Sequence, residues 1–336
     1  MNADILPLIW MFFLAASIVL YTLLDGFSLG VGILFPFARN DRDRQLMMGS
    51  VSPVWDGNQT WLVGGGAALF AAFPKAFNLL LSALYLPLIM MLIALIFRGV
   101  AFEFYMKAKD KHLWYLAFVG GSTVAAFAQG LVLGTYVLGF DFDGRKLIAG
   151  PLHFLSPFSV MTGVGVVLAY ALSGACWLLL KTEGELRDWA RGRAQKLLPL
   201  VIAMIGLVCA WTPRLVPEIR WLWFGWPNIL LLSPVPLWIG ALSFATWAAL
   251  RRKDLSDAVP FLCCIGLYLI TLVGLAVSLW PYVVPRSFTL WEVAAPANSL
   301  LFTMVGVLLI VPVVLVYTAH AYYVFRGKVT PEDAYH

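Results

Sequence analysis

The chain has 336 residues, 61% hydrophobic and 12% charged, with a mean hydropathy of +0.85 and a formal net charge of +5. Soluble domains carry about 25% charged residues, so this composition excludes a water-soluble globular protein and leaves an integral membrane protein. The small positive charge does not require nucleic acid; it reads as loop charge that sets membrane orientation.

A membrane-spanning helix needs about 20 apolar residues. In chain order the candidate spans are 5–37, 53–73, 76–102, 113–139, 153–180, 197–213, 229–250, 259–280 and 299–325. The first run is too long for a signal-peptide core, and the first basic residue is Arg39, so span one is expected to stay in the mature chain. Polar punctuation separates the spans: "RNDRDR" after the first, "KAKDKH" after the third, "KTEGELRDWARGRAQK" after the fifth and "RRKD" after the seventh. "RLVPEIRWLWFGWP" and "PYVVPRSFTLWEVAAPANS" mix tryptophan, proline and arginine, and read as interfacial loops with an aromatic belt.

With nine alternating spans, only six of the 23 basic residues fall on one side: Lys75, Arg145, Lys146, Arg214, Arg220 and Arg286. The richer side should be cytoplasmic. The expected fold is therefore all-α and polytopic, with the N-terminus periplasmic and the C-terminus cytoplasmic. Residues 1–336 form one integral membrane domain with no separate soluble unit.

Several side chains stand out against this background. Asp25 lies in "YTLLDGFSLGVGILFPF", twelve residues before Phe37, about 18 Å of helix. That puts a carboxylate near mid-membrane. Gly26 with Gly30, and Ser28 with Gly32, are small-xxx-small pairs that let another helix approach. In "PVWDGNQTWLVGGGAALFAAFP", Ser52 and Pro53 read as a helix start. Asp56 then sits about one turn in, near the cytoplasmic surface. Gln59 and Thr60 follow on the same face, and Asn58 adds to the polarity. An Asp in a first helical turn also complements the helix dipole without any function. Arg98 and Glu103 in "FRGVAFEF" read as an ion pair or anchor closing the third span. Two acids at staggered depth, with Gln59 and Glu103 nearby, suit proton movement from the cytoplasm better than substrate chemistry.

Other signals are bland. "GGGAALFA" lacks a phosphate-loop pattern and reads as close helix packing. Cys176, Cys209, Cys263 and Cys264 lie in apolar runs and form no CxxC pair, so they read as small buried hydrophobes. His112, His153, His320 and His336 are scattered in depth without ligand spacing. No metal or haem ligation by this chain is expected.

The stretches "LLDGFSLGVGILFPF", "PVWDGNQTWLVGGGAALFAAFP", "FRGVAFEF" and "LWEVAAP" resemble subunit II of the cytochrome bd-type quinol oxidases. The resemblance covers nearly the whole chain, and the compact length points to the cyanide-insensitive branch. It implies two four-helix bundles plus one extra helix, paired as a heterodimer with subunit I. It places two b-type haems and one d-type haem in subunit I, with none bound here. The implied complex oxidises ubiquinol in the bacterial inner membrane and reduces oxygen to water. Protons come from the cytoplasm, so a proton-motive force arises without a pump. Asp56 matches the acid that lines a hydrophilic channel at the subunit interface, and Asp25 matches the acid of the DGF motif. Some members carry a second acid where this chain has Ser28. Some hold a structural quinone in this subunit, and small single-helix accessory subunits are further partners; neither has a site readable here. Two alternatives stay open on the residues alone. One is a proton- or ion-coupled secondary transporter, with "DGFSLGVG" as a broken half-helix. The other is a pure assembly scaffold.

Overall fold

The computed structural model describes residues 5–140, 142–143, 146–148, 150 and 152–330. Arg145 and His336, named above, lie outside the described residues. The chain is almost entirely helical: α1 Ile5–Leu34, α2 Asp41–Gly49, α3 Trp55–Ala72, α4 Pro74–Phe104, α5 His112–Leu138, α6 Pro157–Lys181, α7 Gly184–Leu215, α8 Pro217–Phe224, α9 Asn228–Leu232, α10 Pro234–Arg251, α11 Ala258–Leu279, α12 Leu290–Val293 and α13 Ala297–Val324. Two small hairpins interrupt them, β1 Phe142–Asp143 with β2 Lys146–Leu147, and β3 Tyr282–Val284 with β4 Phe288–Thr289.

Among the described residues, eight helices are long and apolar enough to cross a membrane. The expected second span is the one outside that set. It forms α3, but its first two turns carry Asp56, Asn58 and Gln59, which dilute its apolar character. Its 18 residues still reach about 27 Å.

Three expectations about boundaries are corrected. "RNDRDR" contributes to a short helix, α2, capped by Asn40, whose side chain accepts from the Asp43 backbone N–H at 2.8 Å. Because α2 precedes it, the chain turns through residues 50–54, and α3 begins at Trp55 behind Val54 instead of at Ser52 and Pro53. "GELRDWARGRAQK" is helical throughout. Leu186, Ala190, Ala194 and Leu198 recur every fourth residue and are buried, so one apolar stripe starts α7 well before the expected span at 197.

Helix α1 is central, packing against α3, α5 and α6, while α4 pairs with α5, α6 with α7, and α10 with α11. Gly30 is the tightest point. A Cβ there would lie 1.8 Å from the Tyr170 carbonyl oxygen and 2.9 Å from the Gly174 nitrogen. Glycines on both helices thus bring two backbones together, as the small-xxx-small spacing predicts. The largest core gathers around Phe27, which stacks on Trp177 at 4.1 Å. Trp177 Nε1 donates to the Ser50 carbonyl at 3.1 Å, tying the turn after α2 to α6. Of the cysteines, Cys176 and Cys264 are buried, Cys263 is half-buried and Cys209 is exposed. Cys209 therefore departs from the buried reading: it lies on the outward face of α7.

At one end, a polar clasp joins α7, α10, α11 and the segment after α13. Asp257 accepts from Arg187 Nε and Nη2 at 2.8 and 2.7 Å, from Arg191 Nη2 at 3.1 Å and from Lys328 Nζ at 3.1 Å. Lys181 Nζ donates to the carbonyls of Phe325 and Gly327, and the Val329 N–H donates to the Lys181 carbonyl at 2.8 Å. Partial burial pushes the Asp257 carboxyl up, but hydrogen bonds from Arg187 and Lys328 outweigh it and hold it below the ordinary carboxylate value. A depressed folded-state value means the clasp contributes fully above the ordinary carboxylate range and fades as pH falls through the folded value. The difference in melting temperature between wild type and Asp257→Asn should be constant from pH 8 to about 5 and close below about 4. Thermal scans in detergent across that range test it; a gap that persists in acid would remove the clasp's charge from the account.

Candidate functional site

The buried polar centre is built on α1 and α4. Asp25 and Arg98 both have 0% side-chain exposure. Arg98 Nη1 donates to Asp25 Oδ1 at 3.0 Å and Oδ2 at 3.2 Å. Ser28 completes the cluster: its hydroxyl donates to Asp25 Oδ1 at 2.6 Å and accepts from Arg98 Nη2. One cation faces one anion, with a neutral hydroxyl between them. A second acid at position 28 would break that balance. Gly121 of α5 lets the cluster pack, since a Cβ there would meet Arg98 Cβ at 2.9 Å and the Ala94 carbonyl at 2.5 Å.

The expected Arg98–Glu103 pair does not form. Glu103 is exposed and faces Lys107 at 3.5 Å. The reason is helical geometry. Residues five apart lie about 140° around the helix, so Arg98 points into the protein while Glu103 points out. The Glu103–Lys107 pair, two-thirds exposed or more on both sides, contributes little.

A second layer surrounds the ion pair. Tyr21, one turn before Asp25 on α1, accepts from Gln129 Nε2 at 2.8 Å. Tyr170 of α6 donates to Gln129 Oε1 at 2.7 Å. Gln129 thereby links α1, α5 and α6 beside the buried carboxylate. Sequence reasoning missed this network and Tyr322. The signal available was Gln129 itself, a lone amide in the otherwise apolar run "AAFAQGLVLG".

The "WDGNQT" stretch divides its polar groups between inside and outside. Asn58 is 1% exposed. Its Nδ2 donates to the Leu24 carbonyl at 2.9 Å, and its Oδ1 accepts from the Tyr322 hydroxyl at 2.8 Å. Both amide atoms of Asn58 are thus engaged, and the residue ties α3 to α1 and α13. Asp56 and Thr60 face outward and are exposed. The Thr60 hydroxyl leans back on the Asp56 carbonyl at 3.4 Å. Gln59 is half-buried, and its Nε2 has no partner among the described residues. The outward stripe continues through Val63 and Phe70, which are 71% and 62% exposed. Replacing Asn58 by Leu should strand the Tyr322 hydroxyl and remove the second bond to the Leu24 carbonyl, which keeps its helical partner. The expected loss is about 2–3 kcal/mol, read as a lower melting temperature.

The two acids are therefore neighbours in sequence motif but not in one cavity. Arg98 lies over the Phe102 ring at 5.5 Å, and Phe102 stacks on Trp55 at 4.8 Å. Those rings stand between the buried pair and the start of α3. Asp56 opens to the outside of the chain; Asp25 is sealed within it.

Among the described residues, no group of three or more His, Cys, Asp or Glu side chains stands together as a metal site. His112 begins α5, His153 lies in the loop before α6 and His320 is on the exposed α13. His153 Nδ1 is engaged with the Gly150 carbonyl at 2.9 Å.

A family description, cytochrome bd terminal oxidase subunit II, matches residues 6–325. The chain is similar to "Cytochrome bd-I ubiquinol oxidase subunit 2" of Escherichia coli K12, 29% identical over 98% of this chain and 97% of the relative. It is also similar to "Cytochrome bd ubiquinol oxidase subunit 2" of Bacillus subtilis, 33% identical over 59% of this chain and 60% of the relative. A chain of the bd oxidase from Geobacillus thermodenitrificans shares the fold, with a TM-score of 0.76 at 18% identity, covering 95% of this chain and 99% of that one. Together with the apolar helices, these likenesses place the protein in the bacterial cytoplasmic membrane as a multi-pass component of an oxidoreductase complex. The motifs around Asp25 and Asp56 and the match along almost the whole chain lead to one assignment: this protein belongs to the cytochrome bd terminal oxidase subunit II family.

Proposed function

We propose that this chain is the haemless subunit of a bd-type quinol:oxygen oxidoreductase. It supports the haem-bearing subunit I and helps form the cytoplasmic proton-uptake path. In this reading all of residues 1–336 are one membrane domain of nine spans. α1, α3, α4 and α5 form one bundle, α6, α7, α10 and α11 the other, and α13 is the extra helix. The N-terminus is periplasmic and the C-terminus cytoplasmic. Subunit I carries two b-type haems and one d-type haem, ubiquinol is the reductant, and small accessory helices, lipid and a structural quinone complete the assembly.

One observation carries the proton-path reading: α3 turns Asp56 and Thr60 outward and leaves the half-buried Gln59 amide without a partner among the described residues, while Asn58 is bonded inside to α1 and α13. A carboxylate on the outer face of a membrane helix is costly against lipid and is expected to face water or another protein. Helix α13 supports the same face as an interface. Among the described residues it packs chiefly on α3 and α1, and it carries exposed apolar side chains along its length. Subunit I seated on α3 and α13 would enclose Asp56, with the unpaired Gln59 amide beside it. The path then runs along the subunit boundary and not through the chain's own interior, where Phe102 and Trp55 intervene. Glu103, exposed near the cytoplasmic end of α4, belongs at the aqueous entrance. Asp25 contributes as the fixed counter-charge of Arg98, holding α1 and α4 in register behind the path.

Asp56→Asn tests the proposal. It keeps the shape and removes the exchangeable proton. Quinol-dependent oxygen consumption should fall at least about tenfold, below the range for direct acid–base partners, while the haem spectrum is retained. Unchanged turnover in an assembled complex would favour a purely structural role. The transporter alternative draws no support from the relatives. Its structural premise also fails, because "DGFSLGVG" lies within the unbroken helix α1.

A further inference from the structure

At the end of α11 opposite the Asp257 clasp, the last turns of α5 and α11, the start of α8 and the β3–β4 hairpin line a half-open cavity of about 290 Å³. Val137, Ile219, Leu222 and Leu279 make its walls apolar. Two charged side chains line its rim, Glu218 from α8 and Arg286 from the hairpin turn, both exposed. Among the described residues neither has an ion-pair or hydrogen-bond partner, and they do not pair with each other. Opposite charges that share one cavity without meeting leave room for a ligand carrying both.

The backbone at Arg286 points the same way. The Ser287 N–H donates to the Val284 carbonyl at 3.0 Å, so residues 284–287 form a turn. Arg286 occupies its third position with φ of 63°, the one non-glycine residue in the left-handed region among those described. Glycine or asparagine is the residue such a turn favours. The strain is tolerated here for a residue whose guanidinium lies over Gly139 and reaches the cavity. Strained backbone of this kind tends to accompany binding sites. The helix dipole of α8 accounts for Glu218 in a first turn, but not for Arg286 in this conformation.

Depth is given by the aromatic residues around the cavity. Trp280 and Tyr282 line it, and Trp221 and Trp226 nearby are 74% and 79% exposed. Such residues concentrate at the headgroup level of a bilayer. We infer that this cavity binds the headgroup of an ethanolamine phospholipid, with Arg286 on the phosphate, Glu218 on the ammonium and the apolar walls against the first acyl carbons. A zwitterion matches the two unpaired charges one for one, whereas a singly anionic headgroup would leave Glu218 facing like charge.

The test uses the intact oxidase complex in nanodiscs of phosphatidylethanolamine and phosphatidylglycerol, with retained lipids counted by native mass spectrometry. Wild type should retain one more phosphatidylethanolamine than Arg286→Gly, a variant the left-handed turn favours, and the melting temperature should not fall. Arg286→Gln, which keeps side-chain bulk, should lose the same lipid. Glu218→Gln should still bind at this site but lower the preference for phosphatidylethanolamine by about fivefold, the upper end for an exposed charge pair. Equal retention by wild type and both Arg286 variants would overturn the site. An unchanged preference in Glu218→Gln, or replacement by phosphatidylglycerol in wild type, would overturn the ethanolamine assignment.

Discussion

Replacing Asp25 by Ala should destabilise the chain by about 3–5 kcal/mol, because it leaves the Arg98 guanidinium buried with no counter-charge. The full burial of both partners is what makes the loss large. At the surface, the same change in the Glu103–Lys107 pair should be close to silent. In membranes the expected result is a steep drop in assembled oxidase, read as haem absorbance per unit of membrane protein, and early melting of what remains. The decisive comparison is the double variant Asp25→Ala with Arg98→Met. Removing both charges together and keeping most of the volume can be nearly neutral. The double variant should therefore recover much of what the single one loses. If Asp25→Ala alone assembles and melts like wild type, the ion pair has no part in holding α1 to α4.

The second large effect is expected at Gly30. Valine there places its Cβ where the Tyr170 carbonyl oxygen lies, a separation of 1.8 Å. The obstacle is backbone, so no rotamer change relieves it, and α1 and α6 must move apart. Overpacking of this kind costs about 1–3 kcal/mol in ordinary cores, and more where backbone must shift. The movement would also disturb Tyr170, which holds Gln129 beside the buried ion pair. Gly206→Ala on α7 is the control, since nothing lies within 4 Å of its added Cβ. It should be neutral or slightly stabilising, as alanine outranks glycine in helices by about 1 kcal/mol. Melting temperatures of the two variants separate a packing effect from a general intolerance of glycine replacement. Equal, small shifts for both would show that α1 and α6 do not depend on that close approach.

Both expectations rest on features that differ in how far local sequence exposes them. The positions of the apolar helices were legible because about 20 apolar residues in a row have few other uses. The close approach of α1 to another helix was legible too, because glycines four apart lie on one helix face. The acids at 25 and 56 stood out against hydrocarbon, and the family motifs around them carried the assignment. Local sequence did not identify which helix meets Gly30, and it failed at Arg98. Nearness in sequence suggested Glu103, but a residue five places on faces another way, and the true partner lies 73 residues earlier on α1.

What the sequence determined by itself was therefore membrane class, approximate spans, family and the identity of the unusual polar residues. Each follows from composition, periodicity or short motifs, which are local properties. Only the tertiary structure decided which polar groups satisfy one another: Asp25 with Arg98 and Ser28, Asn58 with Tyr322, Tyr21 with Gln129 and Tyr170. It also decided that Asp56 faces outward while Asp25 is sealed. Burial and hydrogen-bond partnership are settled by side chains from helices distant in the chain. Away from water, each polar atom must find its partner across a helix interface, and that choice is made only when the helices pack.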